Sequence, residues 1–271
     1  MRIGTVRLLD EGGRETAAAP LPGGGVALVR DVAPELPADL FSLVVSGLAG
    51  DLRPRLDGAR AYAGRVAPAP PFRNPGKILG IGLNFRDHAR DLGETAPREE
   101  PASFFKPAST IVGAGESIVL PPESARVTAE AELAVVFGRG GRVFGYLPIL
   151  DMTALDILQR NPRYLTRAKS FRTFLALGPW IVTQNEIADL SAVRVTTLRN
   201  GKAERSATLA AMTFGPNELV EFHARVFPWE AGDLLLTGTP GASAIEPGDV
   251  VAARVEGVGE FSCPVEGPPP R

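Results

Sequence analysis

Two glutamates one residue apart, in Thr128-Ala129-Glu130-Ala131-Glu132-Leu133-Ala134-Val135-Val136-Phe137, stand in an otherwise apolar run. The apolar continuity predicts a buried strand, and the two-residue period of a strand puts Glu130 and Glu132 on one face, roughly 7 Å apart at the backbone. Two carboxylates in a poorly solvated place repel, so one takes up a proton unless a cation lies between them. A hard divalent ion resolves that conflict, and an all-oxygen ligand set suits Mg²⁺, Mn²⁺ or Ca²⁺. Asp151 offers a third oxygen ligand. It follows the apolar Tyr146–Leu150 and precedes a helical spacing over Met152–Gln159, so it reads as a strand end or helix N-cap. Taken alone, the pair would suit a strand entering a sheet from solvent better than a metal site, and Asp151 would be an ordinary cap.

A second constellation surrounds one of only two histidines. His88 lies just past the apolar Lys77–Leu83, on the first turns of a short helix, with Asp91 three residues on and on the same helical face. A carboxylate so placed can orient an imidazole and support its cationic form, as a general base requires. The alternative is a surface His beside a surface Asp. The second histidine, His223, is expected on the solvent face of a helix.

These residues need a scaffold, and the chain punctuates one clearly. Up to about residue 70, two short strands and a helix are read between Gly/Pro breaks. Ala67-Pro68-Ala69-Pro70-Pro71 and Asn74-Pro75-Gly76 then mark a boundary, because Pro continues neither a helix nor a central strand. A small N-terminal domain over 1–70 and a main domain over 77–271 follow. The C-terminal third, from Trp180 to Val265, reads as strand after strand, with Asn200-Gly201 as a hairpin turn, so the class is mainly β with a few helices, α+β. Gly138-Arg139-Gly140-Gly141 is a turn without nucleotide-binding spacing.

Composition narrows the partners. Lys plus Arg number 29 against 31 Asp plus Glu, a formal charge of -2 that supplies none of the attraction used by nucleic-acid binders. No apolar run approaches the ~20 residues of a membrane span. The single cysteine, Cys263, can form no internal disulfide and is expected to be a buried inert thiol, and the first residues lack a signal-peptide core. A reducing cytoplasm fits.

The ordered pieces resemble the fumarylacetoacetate hydrolase family. Gly82-Leu83-Asn84-Phe85 with His88 resembles its Gly-Leu-Asn-Tyr-x-x-His-x-x-Glu signature, Phe104-Phe105-Lys106-Pro107 its Phe-x-Lys-Pro segment, and Glu130–Leu133 its Glu-x-Glu-Leu metal strand. Gly145–Ala154, Ala168-Lys169-Ser170-Phe171, Leu177-Gly178-Pro179-Trp180, Asn200-Gly201 and Thr237–Gly241 follow in family order. The resemblance implies a mixed β-roll with a small N-terminal domain, usually a homodimer. It implies Glu130, Glu132 and Asp151 as metal ligands, His88 with Asp91 as the catalytic dyad, and Lys169 as the active-site lysine. Phe85, Lys106 and Thr239 fall at substrate-binding positions, and Arg90–Pro101 at a lid over the site.

The implied substrate is a small keto acid or β-dicarbonyl compound, chelated by the metal and cleaved at a carbon–carbon bond, with the leaving carbanion held as a metal-bound enolate. A decarboxylase or isomerase on the same site, or a non-catalytic ligand-binding descendant, are the alternatives. Several positions depart from the pattern. Leu155 and Leu158 stand where the family has Arg and Gln facing the pocket, Asp91 replaces Glu, Phe85 replaces Tyr, and Arg205 stands for the Gln after Asn-Gly. Gln159 is expected to point away from the pocket, one helical step of about 100° off. The pocket is therefore expected to be more apolar than usual, with Leu155 and Leu158 in its wall.

Overall fold

The glutamate strand organises the molecule. In the computed structural model, which describes residues 1–268 except 92 and 94 and leaves out the side chain of Asp91, this strand spans Val127–Phe137 with every residue buried. It is the strongly apolar strand that the sequence indicates, and burial on both faces explains why its hydrophobicity does not alternate. Its partner is the antiparallel strand Val143–Ala154, joined through the short turn at Arg139–Gly141, and the register sets Asp151 opposite Glu130 and Ile149 opposite Glu132.

That register corrects one expectation. The helical spacing over Met152–Gln159 becomes helix only from Leu155, in Leu155–Arg160. Met152–Ala154 pair with Val127–Ala129 instead, because both segments are buried and ladder pairing satisfies their backbone groups. Asp151 is thus a mid-strand residue and not a cap.

The large sheet runs in the order Val26–Leu28, Arg14–Pro20, Arg2–Leu8, Trp180–Thr183, Val143–Ala154, Val127–Phe137, Leu234–Leu236, Ile78–Gly82, Ala102–Phe105. A second sheet runs Lys202–Thr208, Arg194–Arg199, Val250–Val255, Gly259–Glu266, Ile118–Val119. The architecture is mainly β with mixed pairing, since Leu234–Leu236 lies parallel to Ile78–Gly82 and antiparallel to the glutamate strand.

The N-terminal segment joins the large sheet directly. Arg2–Leu8 pairs Trp180–Thr183, and the proline-containing Val66–Ala69 forms an outer strand against Arg2–Leu8. The strand Arg14–Pro20 escapes a sequence reading because Arg-Glu-Thr-Ala-Ala-Ala-Pro has weak β propensity; burial of Ala17, Ala18 and Ala19 decides it.

The two faces of the glutamate strand meet different cores. Ala129, Ala131, Leu133, Val135 and Phe137 pack with Leu150 and Met152 and with Val195, Val251 and Ala253 of the second sheet. The other face carries Ala134 and Val136 beside Leu147 and Ile149, covered by Leu40, Leu43 and Val44 from the N-terminal helix Leu40–Ser46. On this second face, toward the start of the strand, the apolar packing stops at Glu132 and Glu130. Burying a Leu contributes about 1.5–3 kcal/mol, so the two cores fix the strand against which the carboxylates are placed.

His223 contradicts its expected exposure. It is 2% exposed in the helix Pro216–Ala224, where Leu219 and His223, four apart, share the inward face. Its Nδ1 lies 2.9 Å from the Leu219 carbonyl, and burial lowers its pKa. Cys263 is buried on its strand as expected, its thiol pushed up to about 12 by burial.

Candidate metal centre and cavity

Glu130 and Asp151 face each other across an antiparallel ladder, and Glu132 follows two residues along the same face. One carboxylate oxygen from each lies within 4.8 Å of the others. Oxygens bound to one ion at roughly 2.0–2.6 Å can be no more than about 5 Å apart, so the three fit a common divalent ion. The donor set, three carboxylates and no sulfur or imidazole, is that of a hard cation.

The charges around them are arranged to hold this cluster together. Lys169, at the end of the short helix Leu165–Lys169, places its Nζ 2.7 Å from Glu130 Oε2 and 2.7 Å from Asp151 Oδ2. Lys106 Nζ donates to Asp151 Oδ1 at 2.7 Å and to the backbone carbonyl of Lys169. Thr153 Oγ1 donates to Glu130 Oε2 at 3.4 Å, and the Gly238 N–H donates to Glu132 Oε2 at 2.8 Å.

Three buried carboxylates against two buried ammoniums leave one negative charge in excess. Burial, with repulsion from Asp151, pushes the Glu132 carboxyl well above its ordinary range. Burial opposes ionisation of Asp151 too, but Lys106 and Lys169 override it and hold that carboxyl low. Burial lowers Lys106, whereas for Lys169 the pull of the three carboxylates outweighs burial and raises it. A buried carboxyl that retains a proton for want of positive charge is what a divalent ion would relieve.

The cluster forms the floor of a cavity of about 590 Å³. Glu130, Glu132, Lys169, His88, Thr153 and Thr239 supply its polar part, while Leu155, Leu158, Leu165 and Phe104 supply an apolar wall. His88 Nε2 lies 3.7 Å from Glu130 Oε1. The Lys169 ammonium sits 5.1 Å from the centre of the Phe104 ring, a cation–π contact that adds to the pull of the carboxylates on it.

The sequence-predicted residues distribute unevenly over this site. Glu130, Glu132, Lys169, His88, Thr239, Leu155 and Leu158 line the cavity, with Asp151 fully buried beneath it. Two assignments are corrected. Phe85 is 2% exposed and packs in the core, bridged to Met212, so it does not reach the cavity. Lys106 does not line the cavity either; its side chain is sealed behind Asp151. The side chain of Asp91 lies outside the described residues, and so does part of the expected lid.

Gln159 reverses its expected direction and lines the cavity rim. The helix begins at Leu155, so Leu155, Leu158 and Gln159 stand at i, i+3 and i+4 on one face. Phe104 and Leu165 also line the wall without having been singled out. Phe104 was legible as the residue two before Lys106 in the Phe-x-Lys-Pro segment, whereas Leu165 carries no sequence signal.

The mixed β architecture, the carboxylate triad and its paired lysines define a class. The family model for the fumarylacetoacetate (FAA) hydrolase C-terminal domain matches residues 77–266, and the chain belongs to this family. It is 39% identical over 196 residues to a protein of Archaeoglobus fulgidus, covering 68% of this chain and 76% of that one. It is 32% identical over 264 residues to the mitochondrial oxaloacetate tautomerase FAHD2A of Bos taurus, covering 88% of this chain and 82% of that one. A crystal structure of 5-carboxymethyl-2-hydroxymuconate delta-isomerase from Mycobacterium smegmatis superposes with a TM-score of 0.75 at 28% identity, covering both chains fully. Among the described residues, no helix is long and apolar enough to cross a membrane.

Proposed function

We propose that this protein is a divalent-metal-dependent enzyme that carries a β-dicarbonyl or acylpyruvate-type acid through an enolate and cleaves its carbon–carbon bond by hydrolysis. The observation that carries this reading is the convergence of Glu130, Glu132 and Asp151 within 4.8 Å on the floor of a cavity shared with His88 and Lys169. The three carboxylates would hold Mg²⁺, with Mn²⁺ or Ca²⁺ as alternatives. When bound, the ion would supply positive charge to polarise and align two neighbouring substrate oxygens.

The remaining work falls to the side chains. Lys169 presents a fixed ammonium to the oxygen on which negative charge develops, preorganised by its two carboxylate partners. His88, lining the cavity beside Glu130, takes the proton of a water that attacks the carbonyl, with Asp91 as its dyad partner by the family resemblance alone. Thr239 bounds the substrate on the Gly238–Gly241 turn, its hydroxyl held by the Gly241 backbone. Leu155, Leu158 and Phe104 exclude bulk water from the far side. The proposal includes a homodimer in a reducing cytoplasm, a setting supported by one buried thiol as the sole cysteine.

A second reading, isomerisation or tautomerisation of a 2-oxo acid, is favoured by the similarity over 88% of the chain to an oxaloacetate tautomerase. It needs the same enolate but only a moved proton. A panel of acylpyruvates, fumarylacetoacetate-like diketo acids and oxaloacetate, run with and without EDTA in ¹⁸O-labelled water, separates the readings. Hydrolysis places ¹⁸O in a product carboxylate; isomerisation does not. Lys169→Ala is expected to lower turnover roughly 10²–10³-fold and His88→Ala roughly 10²–10⁴-fold. Absence of any EDTA-sensitive turnover across the panel would sink the enzymatic reading in favour of a ligand-binding protein.

A further inference from the structure

A second cavity, of about 810 Å³, shares no lining residue with the first. Its size falls within the roughly 300–1,000 Å³ of small-molecule sites. Side chains alternate along Val143–Ala154, and Tyr146 and Asp151 are an odd number of residues apart, so Tyr146 points away from the carboxylates. Leu150 and Met152 share its face and pack toward the second sheet. The short turns Gln184–Glu186 and Leu209–Ala211 and the start of the helix Pro216–Ala224 close the cavity around it.

Two hydroxyls in its wall have no partner among the described residues. Tyr146 is 6% exposed, and its phenol makes no hydrogen bond there; burial alone raises its pKa. Thr213 Oγ1 is buried without a hydrogen bond, although the Thr213 N–H is satisfied by the Asn84 carbonyl at 2.7 Å. Packing asks for neither hydroxyl, since Phe and Val fill nearly the same shapes, and a buried hydroxyl left unpaired is destabilising. Both side chains line this one cavity, where a ligand group can reach them.

The hydrogen-bonding capacity left around them is neutral. The side-chain amides of Gln184 and Asn217 make no hydrogen bond with described residues, and Asn185, whose Oδ1 accepts from Thr183 Oγ1 at 2.8 Å, keeps its NH₂ group. The two lining carboxylates are exposed and already engaged: Asp189 Oδ1 accepts from the N–H and hydroxyl of Ser191, and Glu218 Oε2 accepts from the Gly215 N–H at 2.6 Å. No lysine, arginine or histidine is among the described lining residues. An anionic ligand would therefore meet like charge with no cation to offset it. Leu209, Met212 and Pro216, all buried, add an apolar floor.

We propose that this cavity is a second binding site, for a neutral polyhydroxylated molecule such as a monosaccharide or a cyclitol. Ligand hydroxyls, each donor and acceptor at once, pair with the hydroxyls of Tyr146 and Thr213 and with the amides of Gln184, Asn185 and Asn217. The C–H face of the ring rests on Leu209, Met212 and Pro216. The site is independent of the reaction proposed at the carboxylate triad and stands or falls separately from it.

The chain has three tyrosines, Tyr62, Tyr146 and Tyr164, so the full chain labelled with 3-fluorotyrosine gives three ¹⁹F resonances, and Tyr146→Phe assigns the one in the cavity. Titration with glucose, ribose or myo-inositol is expected to move the Tyr146 resonance saturably and leave the other two in place, whereas gluconate moves none. With the tightest of the three probes, calorimetry on Tyr146→Phe and on Thr213→Val should each show binding weakened by about tenfold, the loss of one hydrogen bond. An unchanged melting temperature reports that a variant is folded, and either folded variant suffices for the comparison. No saturable shift with any neutral probe, equal binding of gluconate, or full affinity in either folded variant would overturn the proposal. A Tyr146 resonance that moves with protein concentration and not with the probes would assign the cavity to a second copy of the chain, and would overturn it as well.

Discussion

Leu155 and Leu158 set the chemical character of the wall facing the carboxylates. Neither can donate a hydrogen bond, and a substrate carboxylate left desolvated against them would be destabilised by several kcal/mol. Oxaloacetate, whose two carboxylates lie close together, is therefore expected to be turned over poorly, and a longer or less charged β-dicarbonyl compound well. The double change Leu155→Arg with Leu158→Gln should improve KM for small dicarboxylates by about tenfold or more, because both side chains already point into the cavity. Steady-state kinetics on oxaloacetate decide this; efficient turnover by the unmodified chain would refute the specificity argument while leaving the metal centre intact. Lys106 illustrates the opposite kind of residue. It does not line the cavity, yet it ties Asp151 to the backbone of Lys169 and so couples one carboxylate of the triad to the lysine beside it.

At the scale of elements, the glutamate strand is paired on its outer edge by Ser243–Ile245 at one end and Leu234–Leu236 at the other, and the stretch that carries the glutamates falls between. Side chains fill that interval. Thr197 Oγ1 accepts from Ala131, and Thr237 donates both its N–H and its hydroxyl to the Leu133 carbonyl. Thr197→Val keeps the shape but leaves the Ala131 N–H buried without its acceptor, at a cost of about 1–3 kcal/mol. Denaturant unfolding should register that loss, together with weaker metal binding, since the strand segment between the two ligands loses its outer support. Unchanged stability in Thr197→Val would show that the interval tolerates the loss.

Elements also explain what the sequence could and could not reveal. Glu130 and Glu132 were legible because a strand has a fixed period of two, and Asp151 because it follows them in family order. The direction of Gln159 was not legible, since it depends on the helix starting at Leu155, which the pairing of Met152–Ala154 with Val127–Ala129 decides. His223 and Phe85 were misplaced for a related reason. Each lies in a local pattern that suits a surface or a pocket, and only the packing of distant segments, Trp229 against His223 and Met212 against Phe85, puts them inside.

For the whole molecule, the buried charge excess links stability to pH. Without metal, the folded chain keeps a proton on Glu132 where the unfolded chain, with an ordinary value near 4.5, has lost it. The contribution of Glu132 to folded stability therefore declines as pH rises above about 4.5, until Glu132 itself ionises. Asp151 acts in the opposite sense, its contribution present above 3.8 and lost as pH falls through its lower folded value. A divalent ion held by the three carboxylates would replace the proton on Glu132. Mn²⁺ at a hundredfold excess over its Kd should stabilise the chain by about 2.7 kcal/mol, a melting shift of roughly 5–10 °C, and at fixed Mn²⁺ the shift should be larger near pH 8 than near pH 5. Glu132→Gln should raise the melting temperature of the metal-free protein at neutral pH and shrink the Mn²⁺ response. Scanning fluorimetry at several pH values tests this; an identical Mn²⁺ shift at every pH and in the variant would exclude the linkage.

The double-sided burial of the strand Val127–Phe137 has a consequence for folding fidelity. Because successive side chains alternate between two cores, a slip of one residue against Val143–Ala154 would drive both glutamates into the packed layer occupied by Ala129, Ala131 and Leu133. That misalignment would bury two carboxylates among hydrocarbon with no lysine near, so it is heavily disfavoured. Replacing both glutamates by alanine would remove the penalty and leave an almost unbroken apolar segment with no preferred alignment, prone to mispairing within the chain and to association between chains. The acidic pair thereby serves as a registration mark: the residues that could hold an ion also tell this fully buried strand which way round its two faces belong.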